Sequence, residues 1–241
     1  MVYVQGMLAP IAETQKDAFT AAARKAAPVF KQAGALAVVD AWGFDLPAGK
    51  HNDFRTAVKA EDGETVIFSY IVWPDKSAGE TGMETAMQDP FFQSGEFASG
   101  MDMKRMIFGG FEPAFSVGAF VGVGEILDGF LCPVRHDQKQ IYIDYAEKAW
   151  PLFFSNHGAA ATYECAGVDV PDGEITSMPM AVMKKPDEMV MFTWMTWPTK
   201  EVRDEAAKVM FTDEKAIEEI GEMPYDGSRM IYGTFQIVSE L

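Results

Sequence analysis

The chain has 241 residues, 48% of them hydrophobic and 23% charged, an ordinary globular balance that excludes a disordered or collagen-like polymer. Acidic side chains (36) outnumber basic ones (20), and the net charge of −16 has the wrong sign for binding a phosphate backbone or an anionic membrane surface. No stretch approaches the roughly 18 to 20 apolar residues of a bilayer span, and the opening MVYVQGMLAPIAETQKD lacks the regions of a secretory signal, so the expectation is an acidic cytoplasmic protein without membrane or nucleic-acid partners.

In chain order, residues 2–11 are β-rich and end at Pro10, which predicts a first strand. Residues 14–33 carry Phe19, Ala22, Ala26 and Phe30 at helical spacing, with Thr14 as the expected N-cap and Gly34 as the stop. Ala35–Ala41 and Phe54–Ala60 read as strands on either side of a loop with a DxPxG turn. Glu61-Asp62-Gly63-Glu64 is a hairpin signal leading into the strongest β run, 65–73, which stops at Trp73-Pro74. A second helix is expected at 75–88 and a last strand at 104–115.

The same series then recurs. Gly6-Met7-Leu8-Ala9-Pro10 returns as Gly129-Phe130-Leu131-Cys132-Pro133, a shift of 123, and after one inserted residue the shift becomes 124. Val66 through Pro74 pairs with Val190 through Pro198, and Arg105-Met106-Ile107-Phe108-Gly109 with Arg229-Met230-Ile231-Tyr232-Gly233. The second copy's helices are expected from Asp137 to before Gly158 and at 199–210, its hairpin at 185–188, and its strands at 189–197 and 228–238. The chain is a tandem duplication of domain-sized units, 1–118 and 119–241, joined through an apolar stretch (Glu112–Gly124) that reads as packed structure.

The order is that of a βαββαβ, ferredoxin-like unit, whose sheet carries helices on one face only. The central strand is apolar on both parities, Phe68 and Tyr70 on one, Ile67 and Ile71 on the other, so its second face needs a cover. The expected fold is α+β: two tandem ferredoxin-like repeats packed sheet-to-sheet as an intramolecular dimeric α+β barrel, a pseudo-dimer that leaves further self-association open. Strand order places the third strand of the second repeat between Cys132 and Cys165, about 9.6 Å apart, beyond the roughly 7 Å limit of a disulfide.

The segments Gly43 through Gly49, Phe54-Arg55-Thr56-Ala57-Val58-Lys59-Ala60, Val66-Ile67-Phe68-Ser69-Tyr70 and Met223-Pro224-Tyr225-Asp226-Gly227-Ser228-Arg229-Met230-Ile231-Tyr232-Gly233 resemble the YbaA-like family, the domain of unknown function 1428, once per repeat. The resemblance implies a dimeric α+β barrel, here built from one chain, and brings no activity and no catalytic residues. The copies depart from the motif differently: the first reads Met101-Asp102-Met103, without the glycine after Asp, and the second ends Gly233-Thr234-Phe235-Gln236, which argues against two equivalent working sites.

Candidate site residues follow from position. Asp40 and Glu164 are matching carboxylates in apolar strands, and Arg105 and Arg229 are matching guanidiniums at the start of the last strands. A carboxylate among apolar neighbours needs a partner or a proton, and face-to-face repeats suggest crossed pairs, Asp40 with Arg229 and Glu164 with Arg105. Structural ion pairing is the larger expectation for these four; as a site they would be a general base or a substrate anchor. Trp42, Tyr70 and Trp194 are candidate pocket walls, with core filling as the larger expectation. The scattered histidines and cysteines form no metal motif, Val121-Gly122-Val123-Gly124 is no dinucleotide fingerprint, and Ser69 lacks a triad, so neither metal nor cofactor is expected. The functional expectation is a small molecule bound in a barrel pocket, between sheet and helices or between the sheets, with a cofactor-free enzyme as its catalytic form. The alternative is a non-catalytic regulatory or stress-associated module.

Overall fold

The structure is a computed structural model and describes residues 1–209 and 212–241, so the last residue of the helix expected at 199–210 lies outside the described residues. The first repeat runs β1 (Tyr3–Ala12), α1 (Lys16–Gln32), β2 (Ala37–Asp45), α2 (Phe54–Ala57), β3 (Glu64–Trp73), α3 (Lys76–Met87), α4 (Pro90–Gln93) and β4 (Ile107–Val117). The second runs β5 (Ile126–Arg135), α5 (Lys139–Ala149), β6 (Ala161–Asp169), α6 (Met178–Ala181), β7 (Glu188–Trp197), α7 (Lys200–Val209), α8 (Glu214–Ile220) and β8 (Ile231–Glu240). Among the described residues no helix is long and apolar enough to cross a membrane.

The eight strands form a closed barrel in the order β1-β3-β2-β8-β5-β7-β6-β4, antiparallel throughout. Within each repeat the order is that of the ferredoxin-like unit, and each repeat's two edges (β2 and β4) are satisfied by the other's (β8 and β6). Closure removes every free strand edge, the exposed liability of an open sheet. Both faces of the strands are buried, as the two apolar parities require. The inward set packs Phe68 on Phe192 (4.5 Å between centroids) and Tyr70 on Trp194 (4.1 Å), so the barrel is filled by its own side chains. The stretch between repeats closes one end: Phe120 stacks on Tyr163 at 4.3 Å and its carbonyl accepts from the Tyr70 hydroxyl, while Gly118 accepts from Tyr163.

Two local expectations are corrected. Phe54–Ala60 is not a strand, because Asp53 and Thr56 form a reciprocal capping box that starts a single helical turn, α2, and Lys59 then takes a left-handed φ of 50°. Thr14 is not a cap; α1 is entered through a 3-10 turn, Glu13–Gln15. The cysteines are free and buried, with β7 between their strands: Cys132 lies opposite Met191 and Cys165 opposite Phe192. Burial pushes both thiols up, away from the thiolate form.

Candidate functional site

Outside the filled barrel, between the sheet of the first repeat and its helices, lies a cavity of about 970 Å³. Its floor is the outward face of β1, β2 and β3, through Met7, Val38, Asp40, Ser69 and Ile71. Its walls are Phe30 of α1, Met83 and Met87 of α3, Phe92 of α4, and Phe97, Met103 and Met106 of the segment leading to β4. Two close approaches shape it. Helix α3 packs onto Trp73 through Gly79 and Gly82, where a β-carbon at Gly82 would lie 2.2 Å from the indole. Gly110 leaves room for Tyr3, whose hydroxyl would be 1.8 Å from a β-carbon there.

Asp40 is the buried charge in this apolar space, only 4% exposed. It faces Ser69 across the β2–β3 pair, and the Ser69 hydroxyl donates to its Oδ1 at 2.6 Å. Among the described residues no cation stands within ion-pair distance of it, and its Oδ2 accepts no hydrogen bond. Burial raises its carboxyl to about 6, with the Ser69 bond pulling weakly the other way. Such a group is ionised at neutral pH yet basic enough to take a shared proton or anchor a donor. At the cavity mouth Lys76 of α3 pairs with Asp169 of the second repeat at 2.5 Å, and the Tyr3 hydroxyl donates to the same carboxylate at 3.4 Å.

The repeat-equivalent position is occupied from within. Glu164 accepts at Oε2 from the Tyr142 hydroxyl (2.6 Å), the counterpart of Phe19, which in the first repeat packs against Trp42 and Phe97. Burial raises the Glu164 carboxyl too, partly offset by Tyr142 and Thr162. Arg203, the counterpart of Gly79, reaches Asp128 at 3.2 Å, and Asp128 also accepts from Thr234 and Trp197. Thus the second repeat supplies internal donors where the first leaves space.

The crossed ion pairs do not form. Arg229 donates both terminal nitrogens to Glu188 (2.7 and 2.8 Å) and its Nε to Asp226, while Arg105 does the same with Glu64 and Asp102. The strand neighbours were read correctly, since β2 does meet β8, but antiparallel register sets Asp40 opposite Ser239, about ten residues and roughly 33 Å along the strand from Arg229. Glu164 likewise lies opposite Phe115 near the far end of β4 from Arg105. Each arginine instead ties the last strand to the hairpin of its own repeat. Trp42 and Trp194 are core residues that do not line the cavity, Trp42 in the cluster that packs with its walls Phe97 and Met106, and Tyr70 borders it while its ring stays in the barrel. Of the candidates, Asp40 is the one with a side chain on the cavity. Sequence reasoning missed Ser69 and the methionine and phenylalanine walls. It also missed Glu64 and Glu188, which the repeat itself marked as matching carboxylates. Among the described residues no group of three His, Cys, Asp or Glu side chains is placed to hold a metal.

Fold and cavity together define a dimeric-type α+β barrel built from one chain. Its overall shape matches a candidate monooxygenase of Lactobacillus acidophilus NCFM (TM-score 0.60, 11% identity, 100% of this chain and 96% of that one). It also matches a candidate monooxygenase of Fusobacterium nucleatum (TM-score 0.60, 8% identity, 99% and 93%) and an anthrone oxidase-like protein (TM-score 0.56, 11% identity, 99% and 92%). At such identities the likeness is one of fold. The family model of the protein of unknown function DUF1428 matches twice, at residues 2–107 and 125–227, and the chain belongs to that family. The uncharacterized protein YbaA of Escherichia coli K12 is 46% identical over 114 residues, 46% of this chain and 96% of YbaA; that of Shigella flexneri matches equally.

Proposed function

We propose that the protein binds a small, mainly apolar molecule in the cavity of the first repeat, with Asp40 and Ser69 as its polar anchor. The observation that carries this is one buried carboxylate, without a cation, opening onto about 970 Å³ of methionine- and phenylalanine-lined space. Ligand sites have this make-up, apolar walls and a few convergent polar groups. The unbranched methionine side chains suit ligands of more than one shape. Asp40 can also accept a proton from a bound ligand, which makes a cofactor-free proton transfer the catalytic form of the proposal. Fold neighbours named as monooxygenases and as anthrone oxidase-like are compatible with this reading. The filled barrel favours the cavity under the helices, rather than the barrel axis, as the place of binding.

Calorimetric titration with 4-phenylbutanol tests the proposal. The expected result is saturable binding that disappears in Met83→Trp, which fills the cavity from α3, while that variant stays folded. Absence of binding by this alcohol and by the amine and carboxylate of the same body, or binding indifferent to Met83→Trp, would overturn it.

A further inference from the structure

Among the buried carboxylates Asp40 is the exception. Glu188 has Arg229, Asp128 has Arg203, the partly buried Glu64 has Arg105, and Glu164 has the Tyr142 hydroxyl. Asp40 has a serine hydroxyl on one oxygen and the cavity beside the other. An ionised carboxylate taken out of water is stabilised most by a cation that comes with its own hydrogen-bond donors. Among the described residues, no side chain lining the cavity supplies one to Asp40. Four ionisable acid or amine side chains line the space: Asp40, Glu80, Asp169 and Lys76. The lysine is engaged at the mouth, 2.5 Å from Asp169 and 3.9 Å from Glu80. The walls favour the same sign of ligand, because the lining includes the aromatic rings of Phe30, Phe92, Phe97 and Phe108, and aromatic faces attract cations. A chain of net charge −16 draws cations toward it as well.

Resting on the proposed ligand site, we infer that the cavity selects hydrophobic monocations, amines or ammonium compounds with an apolar body, whose charged head pairs with Asp40. A neutral alcohol meets the same acceptor without the charge, and an anion meets repulsion from Asp40, Glu80 and Asp169.

The test uses three probes with one body and different heads: 4-phenylbutylamine, 4-phenylbutanol and 4-phenylbutyrate, titrated into the full chain at pH 7.5. The expected order is amine tighter than alcohol by about tenfold, a charge-assisted bond against a neutral one, with the carboxylate unbound. In Asp40→Asn, which keeps the shape of the side chain, amine and alcohol should bind alike. In Ser69→Ala, which keeps the carboxylate, the preference for the amine should persist. An alcohol that binds as well as the amine to the wild type would overturn the inference and leave the ligand site standing, as would an amine preference that survives Asp40→Asn. If none of the three binds, the ligand site falls and the inference with it.

Discussion

Asp40 holds its charge with one oxygen on Ser69 and the other against an apolar cavity, and that arrangement opposes folding. Its proton is bound with a pKa of about 6 in the folded chain against 3.8 for an ordinary aspartate. Below about pH 4 both states are protonated and burial carries no penalty. As pH rises past 6 both become ionised and the full penalty is expressed, on the order of 3 kcal/mol for a difference of about two units. Asp40→Asn should therefore raise stability in urea unfolding, with a gain about 1 kcal/mol larger at pH 8 than at pH 5. An equal or larger gain at pH 5 would contradict the assignment. The opposite is expected of Tyr142→Phe, which strips Oε2 of Glu164 of its donor and leaves Thr162 on Oε1: a loss of about 1–3 kcal/mol, the cost of leaving a buried acceptor unpaired. Asp40 was legible in the sequence because a carboxylate in a run such as Ala35–Trp42 conflicts with its surroundings. Ser69 was not, because what matters is its register opposite Asp40, and register is a property of the paired strands.

At the scale of elements, the arginines fasten each last strand to a hairpin. The Arg229–Glu188 pair is almost wholly buried, at 8% and 5% side-chain exposure, while Arg105–Glu64 retains more contact with solvent. Arg229→Met should cost about 3–5 kcal/mol by leaving Glu188 charged and alone, and Arg105→Met less. A double-mutant cycle in urea should find strong coupling between Glu188→Gln and Arg229→Met, and none between Asp40→Asn and Arg229→Met. Because Arg229 lowers the Glu188 carboxyl, this stabilisation is present above pH 4.5 and is lost as pH falls further. The sequence marked both arginines and misassigned their partners, since strand adjacency alone says nothing about which ends meet. The same limit explains α2: Phe54, Ala57 and Val58 suit a strand, but the Asp53–Thr56 capping box prevails locally. Strands β3 and β7 were the most legible, because their two-sided apolar pattern has no other stable use.

For the whole molecule, the duplication was the strongest signal, and it determined the barrel: two units each with bare edges and a bare face satisfy one another. An isolated 1–118 segment exposes the β2 and β4 edges that β8 and β6 cover in the intact chain. It is expected to dimerise, rebuilding the barrel from two copies; a monodisperse monomer in sedimentation would contradict the closed topology. The cavity was less legible than the fold, because its lining comes from strands β1–β3, from helices α1 and α3, and from a Phe- and Met-rich segment, 90–106, that reads in isolation as an irregular connection.

Duplicated and asymmetric, the chain opens a cavity beside Asp40 of the first repeat, whereas among the described residues of the second Tyr142 bonds Glu164 and Arg203 bonds Asp128. Methionine-methyl NMR of the full chain, with and without saturating 4-phenylbutylamine, tests that claim most directly, because the sixteen methionines are spread over both repeats. The methyls of Met7, Met83, Met87, Met103 and Met106, which line the cavity, should shift, while those of Met189, Met191 and Met195 in the second repeat stay in place. Shifts centred on the second set, or equal in both, would contradict binding in the first-repeat cavity.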